Sequence, residues 1–378
     1  TIGAGGGSIA RVSSAGILQV GPESAGAEPG PIAYGRGGQE PTITDANLVL
    51  GRLNPDALLG VAGGARLDYI REMLDKKIGA HLSLDPVATA AAIVRVANDK
   101  MAGAIRLVSL QRGRDPRDFV LFAFGGAGPL HAVALARELA IPKVLVPARP
   151  GITSALGCLV ADVRHDFVRT INQGLLRMDV AEAHAILAAQ IAEGRRVLAT
   201  EGVEVETVTV EHAADMQFAG QTHVLTVPIA RTDFAREDLA LTFERAYFDR
   251  FGVELREMRA LVMSLRTAVI GRRRPIVLDG LGGPTTPAGP IGTRQVWFET
   301  VDVSTDRRRG GLGEAVGVPQ LQKGWVDTPI YRREALAPGA TLTGPAIVEQ
   351  LDTTTVMEPG DRGRVDALGN LEITVRGL

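Results

Sequence analysis

One stretch of the chain shows the clearest change from apolar to glycine-rich positions. Residues 120–124 form an apolar run typical of a buried strand, and residues 125–128 are three glycines and an alanine. A helical pattern that begins with Pro129 follows, and a second apolar strand is predicted at 143–147. Strand, glycine turn, helix and strand together predict a βαβ unit with two parallel strands.

The rest of the hydrophobic pattern predicts further regions of an α/β protein. Apolar residues at helical spacing predict a long helix that begins at Pro86, within a helical insertion at 55–113. Helix and strand patterns alternate further on and predict an α+β lobe, and short strands and turns predict a β-rich C-terminal region. The predicted domains are a glycine-rich core with the insertion at 1–175, the lobe at 176–278 and the β-rich domain at 279–378.

Composition narrows the class of protein. A net charge of −2 over 378 residues argues against nucleic acid as the main partner, because phosphate backbones require a basic surface. No segment is long and apolar enough for a membrane span, so we expect no membrane partner. The single cysteine, Cys158, lies in an apolar stretch, which predicts a buried side chain and a reducing, cytoplasmic location.

Two glycine-rich segments are candidate ligand loops. Residues 125–128 lie between a predicted strand and a predicted helix, where exposed backbone N–H groups favour a nucleotide or an anion. Residues 5–8 could hold a phosphate through backbone amides, although no lysine follows them as in a Walker loop. Neither segment fits the dinucleotide fingerprint of dehydrogenases. The candidate residues are Gly125, Gly126, Ala127, Gly128, Gly5, Gly6, Gly7 and Ser8.

Three polar residues are further candidates for chemistry. His131 lies near the start of the helix after the glycine turn, where it is the candidate catalytic residue; a packed, neutral histidine is the alternative. Asp162 and His165 lie in a run that alternates Asp and His, which suggests a metal site, with a salt-bridged loop as the alternative. No serine-hydrolase elbow, zinc motif or cysteine cluster is present.

Several blocks of sequence resemble the hydantoinase A/5-oxoprolinase family, and they follow the family's order along nearly the whole chain. The blocks are TIGAGGGSIA at 1–10, VGPESAGA at 20–27, YGRGG at 34–38, PTITDANL at 41–48, NDKMAGAIR at 98–106, FGGAGPLHA at 124–132, SALG at 154–157 with ADV at 161–163, and GPAIVE at 344–349.

This resemblance implies an actin-like, sugar-kinase-type ATPase fold built from two ribonuclease-H-like halves. Members couple the hydrolysis of ATP, with Mg²⁺, to the opening of a cyclic amide such as a hydantoin or 5-oxoproline. Gly125, Gly126 and Gly128 would line the adenosine side of the cleft, and residues 5–8 would border the phosphates or the substrate.

The family's upstream half carries two Asp-x-Gly-Gly-Thr loops, and this sequence contains neither. We therefore expect the C-terminal part of such a protein, inactive without its N-terminal half, which would supply most Mg²⁺ ligands. The resemblance also implies a hydantoinase B-type partner subunit, a small cyclic amide as substrate and an oligomer. Two alternatives stay open, a subunit of an ATP-dependent ketone carboxylase and a non-catalytic scaffold subunit.

Overall fold

The structure is a computed structural model that describes residues 2–58, 61, 63–255, 258–276, 289–302 and 320–377. The chain divides into two units, one formed by Thr1–Ala155 with Leu278–Leu378 and the other by Leu156–Val277. Helices and strands mix in both units, so the fold is α/β, as the sequence predicts. Within the described ranges, no helix combines the length and hydropathy that crossing a bilayer requires.

The N-terminal part of the first unit contains a two-stranded ribbon, the helical insertion and the βαβ unit. Its elements are β1 (Ser8–Val12), β2 (Leu18–Ser24), α1 (Ile43–Val49), α2 (Leu67–Leu74), α3 (Ala80–Leu82), α4 (Pro86–Leu110), β3 (Val120–Phe122), α5 (Gly128–Glu138) and β4 (Lys143–Val146). The predicted long helix is confirmed as α4, because Pro86 is its first residue and the Asp85 side chain caps its first N–H groups.

The remaining elements form the second unit and the C-terminal part of the first unit. They are α6 (Thr153–Val160), β5 (Val163–Gly174), α7 (Val180–Thr200), β6 (Thr207–Phe218), β7 (Leu225–Ile229), α8 (Arg236–Phe251), β8 (Ala260–Arg272), β9 (Gly292–Asp302), β10 (Gln320–Arg332), β11 (Thr341–Thr343), β12 (Ala346–Glu349), β13 (Thr354–Met357), β14 (Arg362–Val365) and β15 (Leu371–Thr374).

The βαβ unit is confirmed, but its first strand is less covered than expected. β3 and β4 are parallel and lie at one end of a five-stranded sheet in the order β11-β14-β15-β4-β3. Val120 is 51% exposed and Phe122 is 45% exposed, so the prediction of a buried strand is wrong. An apolar run is typical of parallel strands covered on both faces, but β3 has only one strand neighbour in the described sheet.

The C-terminal strands share a sheet with the βαβ unit. β15 pairs antiparallel with β4, with Leu371 opposite Val146 and Ile373 opposite Val144. All four side chains are at most 1% exposed. This grouping differs from the predicted separate domain at 279–378, because strand pairing joins segments that are far apart in sequence.

Helix α5 lies between two sheets of the first unit. Its Val133 and Ala136 belong to the apolar cluster of the five-stranded sheet. Leu130 belongs to a second cluster with Val296 and Ile347, which lie on the four-stranded sheet β13-β12-β10-β9. Burial on both sides therefore fixes the start of α5, where the glycine turn ends.

The second unit is an antiparallel sheet in the order β5-β8-β6-β7 with helices α7 and α8. Its core includes Leu187, Met216, Phe243 and Leu265, all fully buried. Helices and strands alternate as predicted for the lobe. The unit begins at Leu156 rather than at residue 176, because β5 pairs with β8.

The prediction that Cys158 is buried is wrong. The cysteine is exposed, and it lies in α6, none of whose residues is buried. An apolar stretch is buried only where another element covers it, and that covering depends on tertiary contacts the local sequence does not encode.

Two glycines with left-handed backbones give a matched test of packing. Gly51 has φ +73°, and a Cβ there would lie 2.1 Å from the Gln295 carbonyl oxygen, whereas Gly35 has φ +65° with nothing within 4 Å. We expect Gly51→Ala to lower the free energy of unfolding by roughly 3 kcal/mol, from left-handed strain plus overpacking. Gly35→Ala should cost only about 1 kcal/mol, since it adds strain alone.

Urea unfolding followed by tryptophan fluorescence measures both changes. The chain contains two tryptophans, Trp297 and Trp325, and both belong to the first unit with Gly51 and Gly35. Equal losses for the two variants would contradict the packing of Gly51 against β9.

Candidate functional site

The two glycine-rich loops predicted to bind a ligand line one pocket of the first unit. Gly6 lies on one wall, and Gly126 and Ala127 lie on another, around a volume of about 410 Å³. The lining residues that matter for chemistry are Asn47, Arg332, Glu349, Asp352 and Thr353. Segments from the start, middle and end of the sequence therefore meet at this pocket, which we call the glycine pocket.

The loop between β12 and β13 holds the turn at Gly125 and Gly126. Gly125 has φ +82°, a left-handed conformation that favours glycine. The Thr353 hydroxyl donates to the Gly126 carbonyl oxygen at 2.9 Å and lies 3.3 Å from that of Gly125. A Cβ on Gly126 would approach the Asp352 carbonyl oxygen to 3.3 Å. The turn is thus fixed from one side while Gly126 and Ala127 still face the pocket.

Helix α5 begins at this turn without a side-chain cap. Ala127 occupies the N-cap position, and no side chain accepts a hydrogen bond from the first turn. Uncapped N–H groups at the start of a helix attract acceptor atoms and negative charge. The start of α5 can therefore supply backbone donors to a group in the glycine pocket.

The N-terminal loop is held by its own hydrogen bonds. The Ser8 side chain is buried, and its Oγ accepts from the Gly5 N–H at 3.0 Å. The Gly6 carbonyl oxygen accepts from both the N–H and the hydroxyl of Thr44, each at 2.9 Å. The Ser8 hydroxyl is therefore engaged within the loop, and Gly6 is the loop residue that lines the pocket.

Asp45 fixes the start of α1 beside this loop. Its buried carboxylate accepts from the backbone N–H groups of Thr42 and Ala33 at 2.9 and 2.8 Å, and from the Thr42 hydroxyl at 2.7 Å. Burial raises the pKa of Asp45, while these donors act in the opposite direction. The T-x-x-D spacing of a capping box is the sequence signal for this arrangement.

Two residues that line the glycine pocket have buried oxygens without a hydrogen-bond partner among the described residues. Asn47 is fully buried; its amide nitrogen donates to the Ile43 carbonyl, and its Oδ1 has no partner in the part of the chain that the structure describes. Asp352 Oδ1 is likewise buried without a partner. Buried polar atoms without partners are costly unless a ligand or water satisfies them. Hydroxyl or amino groups of a ligand suit these acceptors better than a polyphosphate.

The candidate catalytic residue His131 lies in α5 and does not line the pocket. Its side chain is 3% exposed, and its Nδ1 lies 2.8 Å from Asn98 Oδ1, within hydrogen-bond distance. Burial, with a smaller contribution from the Arg52 charge, lowers the pKa of His131 to about 4. These contacts favour the alternative of a packed, neutral histidine, and the catalytic role stays a prediction.

The candidate metal ligands are each engaged with other side chains. Asp162 accepts from Arg272 at 2.7 Å and from the Arg273 N–H at 2.9 Å. His165 Nε2 lies 3.0 Å from a Glu201 carboxylate oxygen, without the alignment of a hydrogen bond. Within the described ranges no three His, Cys, Asp or Glu side chains cluster as a metal site. The ion pair with Arg272 fits the salt-bridged alternative for Asp162, and the metal site stays a prediction.

Asn47, Asp352 and Thr353 were not candidates from the sequence. Asn47 lies in the PTITDANL block, which was noted only as part of a resemblance. Asp352 and Thr353 lie in a short loop whose threonines resemble an ordinary strand pattern. Their position over the glycine turn comes from sheet pairing, which no local signal predicts.

Comparison with known families agrees with the resemblance. The hydantoinase/oxoprolinase model matches residues 1–167, and the hydantoinase/oxoprolinase C-terminal domain model matches residues 319–373. The chain therefore belongs to the hydantoinase/oxoprolinase family.

The chain is similar to proteins that have different activities. The alpha subunit of caprolactamase from Pseudomonas jessenii is 32% identical over 99% of this chain and 52% of that protein. The gamma subunit of acetophenone carboxylase from Aromatoleum aromaticum is 33% identical over 98% of this chain and 50% of that protein. The chain spans about half the length of these curated relatives.

A solved structure supports the fold. The crystal structure of the ATP-dependent caprolactamase from Pseudomonas jessenii matches with a TM-score of 0.76 and 30% identity, covering 98% of this chain and 52% of that chain. This match confirms the actin-like α/β fold expected from the family resemblance.

The lowered pKa of His131 predicts a pH dependence of stability. Below pH 6.5 the unfolded chain binds a proton at His131 that the folded chain excludes down to about pH 4. The free energy of unfolding should therefore fall as the pH drops through this window, by roughly 3 kcal/mol at most. His131→Gln should remove this part of the slope.

Urea titrations between pH 7 and pH 4 measure this slope. The exposed His81, substituted as His81→Gln, is the matched control and should keep the wild-type slope. An unchanged slope in His131→Gln would show that His131 is protonated in the folded chain.

Proposed function

We propose that this chain is part of an ATP-dependent enzyme that opens a cyclic amide, such as a hydantoin or 5-oxoproline. One observation carries the proposal: Gly6 from the first family block and Gly126 with Ala127 from another line the same pocket. Family membership and the caprolactamase relative support the reaction class. The chain spans about half the length of its curated relatives, and we propose that the complete protein includes an N-terminal region and a hydantoinase B-type subunit.

The chemistry explains the need for ATP. An amide resists attack because its nitrogen lone pair is delocalised into the carbonyl group and its nitrogen is a poor leaving group. Transfer of the γ-phosphoryl group of ATP to the carbonyl oxygen would release ADP and make the carbonyl carbon more electrophilic. Water would then add to that carbon, the ring C–N bond would break to give an amine and an acyl phosphate, and a second water would release inorganic phosphate and the carboxylate. Catalysis of phosphoryl transfer depends mainly on positioning and charge. ATP, when bound, supplies the phosphoryl group that activates the substrate.

The residues of the glycine pocket fit the nucleoside end of ATP. Asn47 Oδ1 and the Asp352 carboxylate accept from hydroxyl or amino groups, and the start of α5 presents backbone N–H groups. Arg332 is the single cation among the lining residues, beside the carboxylates of Glu349 and Asp352. This balance of charge suits the phosphates poorly, so we propose that the phosphates, and the Mg²⁺ that accompanies them, bind to the N-terminal region of the complete protein.

Sequence similarity also supports a second candidate function. The acetophenone carboxylase gamma subunit is as similar to this chain as the caprolactamase subunit is, at 33% and 32% identity. In a ketone carboxylase, ATP would activate an enolate and bicarbonate rather than an amide. Incubation with ATP, bicarbonate and a ketone separates the two functions, because only a carboxylase forms a new carboxylate.

Steady-state assays on the complete protein test the proposed function. Hydantoin, 5-oxoproline or a similar cyclic amide should stimulate the release of phosphate from ATP, with one ring opened per ATP. The chain without the remaining region should show no turnover. Absence of stimulation by every cyclic amide tried, with the subunits assembled, would contradict the proposal.

A glycine substitution tests the pocket. Gly126→Ala places a Cβ 3.3 Å from the Asp352 carbonyl oxygen and reduces the space between the glycine turn and the loop that contains Asp352. We therefore expect the KM for ATP to rise about ten-fold. Gly103→Ala is the matched control, since its Cβ would meet nothing within 4 Å and it lies away from the pocket on α4. Equal KM values for the two variants would remove Gly126 from the nucleotide site.

A further inference from the structure

A second pocket lies beside the glycine pocket in the first unit. It has a volume of about 750 Å³, and we call it the tryptophan pocket. The residues that determine its chemistry are Leu53, Asn54, Leu67, Arg71, Arg294 and Trp325. None of the candidate residues from the sequence lies in it.

The two pockets share a wall. Leu53 and Asn54 line both of them. Arg294 lines the tryptophan pocket and Glu349 lines the glycine pocket, and the two side chains form an ion pair with Nη2 and Oε1 2.6 Å apart. The Glu349 side chain is 8% exposed and that of Arg294 is 20% exposed. A partly buried ion pair therefore connects the two pockets.

Arg294 has unused capacity to bind an acceptor. A guanidinium carries five N–H donors, and the one bond found for this side chain in the described residues runs from Nη2 to Glu349. Among the described residues, its buried Nη1 has no hydrogen-bond partner. An anion in the tryptophan pocket would satisfy this group with a charge-assisted hydrogen bond.

Two arginines, Arg294 and Arg71, line the tryptophan pocket. Glu349 balances part of the Arg294 charge, whereas the ion pair of Arg71 in the described residues is a long contact of 3.4 Å with the exposed Asp68. Asp56 is the carboxylate among the lining residues, and it is exposed. Gln295 also lines the pocket, and its amide donates to Asp327.

The rest of the wall is apolar and partly aromatic. Trp325 is 42% exposed, although tryptophan is a residue whose burial is strongly favourable. Its ring packs edge-on against Trp297, with centroids 5.6 Å apart. Leu53 and Leu67 add aliphatic surface. A flat or cyclic ligand would cover this surface.

We propose that the tryptophan pocket is a binding site for a small carboxylate with a cyclic body. The carboxylate would bind Arg294, and the ring would lie against Trp325. The proposal concerns binding alone. A binding measurement therefore tests it separately from ATP hydrolysis and from the proposed function.

Tryptophan fluorescence tests the proposal directly, because the only tryptophans of the sequence are Trp297 and Trp325. Benzoate serves as the probe, and benzamide is its neutral analogue of the same shape. We expect a saturable change in emission with benzoate and binding of benzamide at least about ten-fold weaker, because the charge-assisted hydrogen bond is lost.

Substitution of the arginine provides the second arm. Arg294→Gln should weaken the binding of benzoate at least about ten-fold. Arg95→Gln removes a surface ion pair with Glu299 outside the pocket and should bind benzoate as the wild type does. If Arg294→Gln does not fold, the double variant R294Q/E349Q leaves no carboxylate unpaired and should show the same loss.

Three results would overturn the proposal. These are no saturable emission change with benzoate, equal binding of benzoate and benzamide, and equal binding by the wild type and a folded Arg294 variant. Each readout is independent of nucleotide turnover.

Discussion

The packing of helix α5 between two sheets is the constraint on which the candidate site depends. Leu130 lies in the cluster of the four-stranded sheet, whereas Val133 and Ala136 lie in that of the five-stranded sheet. Because both sides of α5 are buried, its uncapped N-terminus and the turn at Gly126 cannot move without disrupting both cores. The threonine at 353 adds a local restraint, since its hydroxyl holds the carbonyl of that turn. The site is therefore a property of tertiary packing as much as of the glycine-rich motif.

The sequence predicts the elements whose signals are local. The strand, glycine turn and helix around Gly125 were recognised because apolar period, glycine and proline agree over a short stretch. The exposure of Phe122 and Cys158 was not predictable, because apolar composition does not show what covers a side chain. The pairing of β15 with β4 also escaped prediction, since their residues are more than two hundred positions apart.

Local sequence signals also predict only part of the candidate site, and tertiary contacts determine the rest. Glycine-rich loops are easily recognised in a sequence, and residues of both predicted loops line the glycine pocket. Asn47 and Asp352 are single polar residues that belong to no recognisable sequence motif. Their oxygens indicate a ligand site only because they are buried without a partner among the described residues. These acceptors are the basis of the proposal that the pocket binds the hydroxyl and amino groups of a nucleoside. The ion pair between Arg294 and Glu349 extends the polar wall toward the tryptophan pocket.

Amide hydrogen exchange of the complete protein, with and without a non-hydrolysable ATP analogue, tests the central assignment most directly. Peptides that contain Gly126 and the first turn of α5 should exchange more slowly when the analogue is bound, as should the peptide that contains Gly6. Calorimetry on the same sample establishes that the analogue is bound. Unchanged exchange at both loops in the bound sample would contradict the assignment of the glycine pocket to the nucleotide.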